Sequence, residues 1–207
     1  MNGKETAVLK LLDEHYPFDF KCFLMYDKDK PWQLLFATIL SAQCTDVRVN
    51  AVTKTLFKKY STLDAFARAD LTEMQRDIFS TGFYRGKAVN IISSARRLLD
   101  EHGGRVPSDL DALVKLPGVG RKTANVVRGH IFRIPSVVVD THVKRVSKRL
   151  GFTESEDPTK IESDLMNILP EKHWIAFNQQ IITHGRRVCV ARRPSCGDCF
   201  LRVLCDF

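Results

Sequence analysis

The sequence lacks any apolar run approaching the roughly 18 residues that a membrane-spanning helix needs. Its N-terminal stretch "MNGKETAVLKLLDEHYP" carries acids where a secretory signal would have an apolar core. Both absences point to a cytoplasmic protein, where disulfides are rare, so six cysteines need another use. Internal repeats and low-complexity segments are missing too, which excludes solenoids and long linkers. Alternating apolar and polar residues are scarce: only "SVVV" at 136–139 reads as a strand, and four residues build no sheet. Acids are sparse in two places. Residues 115–149 hold nine Lys and Arg against Asp140 alone, and residues 185–202 hold five Arg against Asp198. Either run could be a solubilising face. With a net charge of +8, two such runs beside unusual motifs favour a polyanionic partner, nucleic acid above all.

What is present is helical, and the chain reads as all-α with short loops. "KETAVLKLLDEH" is amphipathic; "PWQLLFATILSAQ" opens on Pro31 and is apolar nearly all round, as a buried helix should be. "DVRVNAVTKTLFKKY" follows with Asp46 as its cap. Ser61 with Asp64, and Asp70 with Glu73, approximate capping boxes. Gly82 ends that segment, and "RGKAVNIISSARRLLDEHGG" is a long helix closed by a glycine pair. "SDLDALVKL" and "RKTANVVRGHIF" flank the turn "PGVG"; Asp140 caps "THVKRVSKRL", and Asp157 with Pro158 opens the next helix.

The tail "CVARRPSCGDCFLRVLC" places Cys189, Cys196, Cys199 and Cys205 in a C-x6-C-x2-C-x5-C pattern. Soft thiolates gathered this closely select an iron–sulfur centre or zinc. Four-cysteine zinc sites usually comprise two close pairs and this tail has one, so the spacing favours iron–sulfur, with zinc the alternative. The loop between the first two ligands projects Arg192 and Arg193, and a centre that pins a basic loop holds phosphate contacts in place. Cys22 and Cys44, in segments read as helical, are small buried hydrophobes.

The hairpin, about 108–132, offers backbone N–H groups at Gly118, Val119, Gly120 and Arg121, where a helix start binds phosphate without reading bases. Lys122 stands in the first turn, where the helix dipole and Arg121 both disfavour an ammonium. A neutral amine there is a nucleophile suited to Schiff-base chemistry; a phosphate-binding lysine is the plainer reading. Asp140 can serve as a cap, stabilise a cationic sugar and assist deprotonation of a nucleophile. His142 reads as a structural hydrogen-bonder.

Taken together, "LSAQCTD" at 40–46, "TGFYRGKAVNI" at 81–91, "LPGVGRKTANVV" at 116–127, "VDTHVKRV" at 139–146 and the four cysteines resemble the endonuclease III family of DNA glycosylases. The resemblance spans nearly the whole chain. It implies a helix-hairpin-helix glycosylase fold: a six-helix barrel domain over 24–134, and an iron–sulfur helical domain from 1–23 and 135–207. It also implies one 4Fe–4S cluster on the four cysteines and damaged double-stranded DNA as partner; nothing in the sequence asks for more than a monomer, and the expected location is cytoplasmic, at the nucleoid in a prokaryote. The activity implied is that of a bifunctional glycosylase and abasic-site lyase. Such an enzyme flips an oxidised pyrimidine such as thymine glycol out of the stack and excises it, with Lys122 as nucleophile and Asp140 as catalytic carboxylate. Gln43 would fill the gap left by the flipped base and Phe83, in place of the family's Leu, would act as an apolar wedge; otherwise Phe83 is a core aromatic. A mismatch-specific glycosylase of this fold would lack a lysine at 122. A non-catalytic helix-hairpin-helix or redox-sensing module would lack the pair of Lys122 and Asp140.

Overall fold

The computed structural model describes residues 3–20 and 22–207, so Met1, Asn2 and Lys21 of the expected 1–23 segment lie outside the described residues. Every regular element among them is a helix. The chain divides into two compact units, one of residues 22–133 and one that joins 3–20 to 134–207.

In the 22–133 unit the central element is α2 (Pro31–Leu40). Pro31 starts it at a position where no backbone N–H is needed, and each of its other residues is buried. Leu34, Leu35, Phe36 and Leu40 are fully enclosed, each contributing about 1.5–3 kcal/mol by leaving water. Around it lie α3 (Asp46–Lys59), α4 (Leu63–Ala67), α5 (Leu71–Asp77), α6 (Tyr84–His102), α7 (Leu110–Val114) and α8 (Arg121–Phe132). Trp32, Phe36, Phe57 and Phe66 interlock through ring contacts at centroid distances between 4.9 and 6.1 Å. Helix α6 packs against α4, α5 and α2, and α8 against α2 and α7.

Two caps differ from the sequence expectation. Thr45, not Asp46, accepts the Arg48 N–H at the start of α3, and Thr62, not Ser61, accepts from Ala65 at the start of α4. In both cases the threonine keeps extended backbone while its neighbour has entered the helix or stands one residue too early to reach the third N–H. Asp70 caps α5 as its spacing requires.

The other unit is built from α1 (Gly3–His15), α9 (Thr141–Arg149), α10 (Pro158–Ile168) and α11 (Trp174–Arg187), followed by the cysteine-bearing tail. Val8, Leu12, Val143, Val146, Ile161, Leu165, Phe177 and Ile181 form its core. "SVVV" is not a strand, although Ser136, Val137 and Val138 are buried. Instead of a neighbouring strand, the buried Asn178 side chain serves its backbone: Nδ2 donates to Ser136 O at 2.8 Å and Oδ1 accepts from Val138 N at 3.0 Å. A side-chain amide thus does locally what a sheet would do.

Candidate DNA-repair site

The hairpin turn is held from behind by α6. Ser94 Oγ donates to Pro117 O at 2.7 Å, and Arg97 Nη1 to Lys115 O at 2.7 Å. Gly118 has φ +77, and a Cβ there would lie 2.8 Å from both Cβ and Nδ2 of Asn90. Glycine is therefore required twice over, by conformation and by space. Gly120 is the N-cap residue of α8 and has open space where a Cβ would stand. Val119 is 5% exposed, so its side chain belongs to the core, and its N–H already donates to Leu116 O. Of the turn's amides, those of Gly118 and Gly120 have no acceptor among the described residues, and Gly120 opens onto solvent. Arg121 and Lys122 follow on the exposed first turn of α8. An anion can approach this corner along the helix axis and meet both amides and cations.

Gln43 and Phe83 lie on two other connections of the same unit. Both are non-glycine residues in the left-handed region, with φ 52 and 48. Phe83 is 68% exposed, so it is not a core aromatic, and Gln43 is exposed as well. Left-handed backbone at such residues costs about 1–3 kcal/mol and persists only where surrounding contacts enforce it. Cys22 and Cys44 pack partly against the core in irregular segments, not in helices. Burial pushes the Cys22 thiol up to about 11.

In the other unit Asp140 is the cap of α9. Its Oδ1 accepts from the N–H groups of His142 and Val143, both at 2.8 Å, and Oδ2 lies 2.9 Å from Nδ1 of His142. The carboxylate is 13% exposed in its side chain and fixed at both oxygens. His142 is thus a structural partner, as its position suggests, and what it structures is Asp140.

Cys189, Cys196, Cys199 and Cys205 line one cavity of about 110 Å³. Burial, and behind it the charges of the other three cysteines, raise the Cys199 thiol above its ordinary value, so thiolates here call for a compensating cationic centre. Among the described residues no three His, Cys, Asp or Glu side chains close on a point where a single metal ion would sit. Arg192 and Arg193 are exposed on the intervening loop, Arg193 with φ 57.

Two cations that the sequence shows only as part of a basic run hold this loop. Arg145 donates to Cys189 O and Gly185 O, and Arg149 donates to Cys189 Sγ at 3.2 Å, Val190 O and Ala191 O. Lys144 and Lys148 both pair with Glu156. Lys144, Arg145, Lys148 and Arg149 are therefore engaged within the fold, and Arg128 donates to Asn125 Oδ1 as well. The buried His184 stands between Tyr16 Oη at 3.2 Å and Cys199 Sγ at 3.5 Å, and burial lowers its pKa to about 4.

An all-α chain with a glycine hairpin, a first-turn lysine and a capped aspartate defines a helix-hairpin-helix DNA repair protein. Residues 36–171 match the family model described as HhH-GPD superfamily base excision DNA repair protein. Endonuclease III of Synechocystis sp. is 51% identical over 203 residues, covering 98% of this chain and 91% of that one. Endonuclease III of Bacillus subtilis is 47% identical, covering 89% and 84%. A solved structure of a trapped endonuclease III–DNA covalent intermediate, an estranged-adenine complex, superposes with a TM-score of 0.91 at 45% identity, covering 99% of this chain and 96% of that one. The fold alone extends to a thermostable thymine-DNA glycosylase, with a TM-score of 0.82 at 23% identity. The chain belongs to the HhH-GPD superfamily of base excision DNA repair proteins, within its endonuclease III family. It is a DNA glycosylase with lyase activity at abasic sites.

Proposed function

We propose that this chain excises oxidised pyrimidines, thymine glycol among them, from double-stranded DNA, and that Lys122 carries both the excision and the strand cleavage. What carries the reading is the placement of Lys122: exposed, on the first turn of α8, directly after the two unpaired glycine amides of the hairpin. The hairpin holds the phosphate backbone, and the target nucleotide is flipped because its sugar C1′ is shielded within the stack.

Nζ of Lys122 attacks C1′ with loss of a proton; the glycosidic bond breaks, and the base leaves with the bonding electrons and takes up a proton. Ring opening gives an imine between Nζ and C1′. Loss of a C2′ proton then expels the 3′ phosphate by β-elimination, and water releases the enzyme. Asp140, fixed at both oxygens, provides negative charge for the cationic sugar. Phe83 wedges the stack open and Gln43 fills the vacated space.

The 22–133 unit corresponds to the six-helix barrel domain and the other unit to the iron–sulfur domain. Cys189, Cys196, Cys199 and Cys205 would hold the 4Fe–4S cluster, which supplies a rigid staple for the tail. Arg192 and Arg193 reach phosphate from the stapled loop. The chain acts as a monomer in the prokaryotic cytoplasm, at the nucleoid, and no helix among its described residues is long and apolar enough to cross a membrane. The test is a duplex with one thymine glycol: the protein releases the modified base and nicks 3′ to it, while leaving the matching thymine duplex intact. Release without nicking would overturn the lyase assignment to Lys122.

A further inference from the structure

Lys87 is a buried lysine. It is 5% exposed, on the first turn of α6, and its Nζ donates to Leu40 O at 2.7 Å and Thr81 O at 2.8 Å. Leu40 ends α2, and Thr81 ends the short 3-10 turn Phe79–Thr81. Both carbonyls belong to helix ends, where the last C=O groups have no partner within the helix and the dipole favours a cation. One ammonium thus closes two helix termini at once. Gln43 leaves the first terminus three residues on, and Phe83 leaves the second two residues on. Both hold left-handed backbone that something must enforce. No charged side chain pairs with Lys87 among the described residues, although burying an ammonium is costly. The next residues on that face, Asn90, Ser94 and Arg97, are those that seat the hairpin.

We propose that Lys87 is a positioning residue whose buried ammonium ties the segment bearing Gln43 to the segment bearing Phe83, so that both enter the duplex at a fixed separation. The inference rests on the roles assigned above to Gln43 and Phe83. Lys87 touches no DNA; it acts through the two segments it joins.

The test compares wild type, Lys87→Met, Gln43→Ala/Phe83→Ala and the triple variant on two substrates. One is duplex DNA with a single thymine glycol; the other is a single-stranded oligonucleotide with one abasic site, where no stack must be opened. Lys87→Met is expected to lower excision from the duplex on the order of 10²-fold, as small misplacements of positioning groups do. Cleavage of the single strand stays within about twofold, and in the Gln43→Ala/Phe83→Ala background Lys87→Met adds nothing further. Equal losses on both substrates, or an undiminished loss in that background, would show that Lys87 only supports the fold and would overturn the proposal. If Lys87→Met does not fold, Lys87→Gln, which keeps one donor, is read in the same way. If Gln43→Ala/Phe83→Ala matches wild type on the duplex, the roles of Gln43 and Phe83 fail first, and this inference with them.

Discussion

A Cβ on Gly118 would stand 2.8 Å from the Cβ of Asn90, so the hairpin turn touches α6 at a point where only glycine fits. The contact fixes the turn whose free amides face solvent. Gly118→Ala must strain its φ of +77 and displace Asn90, which costs about 1–3 kcal/mol. In a urea melt the midpoint should fall accordingly, and duplex binding should weaken with it. Gly120→Ala is the contrasting variant. Its φ of −89 is ordinary and the space is open, so stability should hold while the added methyl sits where a phosphate would bind.

Asp140 combines a structural and a chemical duty that one substitution separates. Asparagine caps helices about as well as aspartate, so Asp140→Asn should melt like the parent. Base excision should nevertheless drop by roughly 10²–10⁴-fold, because the negative charge is gone. Asp140→Ala loses both, with about 1 kcal/mol less stability. Full activity in Asp140→Asn would reduce the residue to its capping role.

Arg192 and Arg193 are expected to meet phosphate. Replacing both by alanine should weaken binding to any duplex sequence and flatten the slope of log K against log salt by about 0.9 for each phosphate that is no longer neutralised. An unchanged slope would place the loop away from DNA.

Glu156 offers a pH test outside the chemistry. Hydrogen bonds from Lys144 and Lys148 hold its carboxyl down to about 2. Because the folded value is depressed, its contribution to stability is present above the unfolded value and is lost as the pH falls towards 2. The difference in urea midpoint between wild type and Glu156→Gln should therefore be visible at pH 7 and close between about pH 4 and pH 2. The pair is solvent-exposed, so the difference should shrink in high salt as well.

The helices and their order were legible because apolar periodicity, Pro31, Pro158 and the terminal glycines are local signals. Lys122 and Asp140 stood out for a related reason: each sits at a helix start, where its side chain type is informative. Arg145 and Arg149 did not stand out. A cation tucked under a cysteine loop and a cation in water look alike in sequence, since the difference lies in carbonyls some 40 residues away. Lys87 was hidden in the same way, within a helix whose arginines face outward or bind backbone. "SVVV" misled because its burial pattern is that of a strand, while its backbone partner is a single distant amide, Asn178.

The central claim is that Lys122 attacks the sugar. Its most direct test is borohydride trapping on a duplex carrying one thymine glycol, run with wild type and Lys122→Ala. A stable covalent complex with wild type, absent from Lys122→Ala although that variant still binds the duplex, is the predicted result. A complex that forms equally well with Lys122→Ala, or none from wild type that binds and releases the base, would contradict the assignment and leave Lys122 as a phosphate contact.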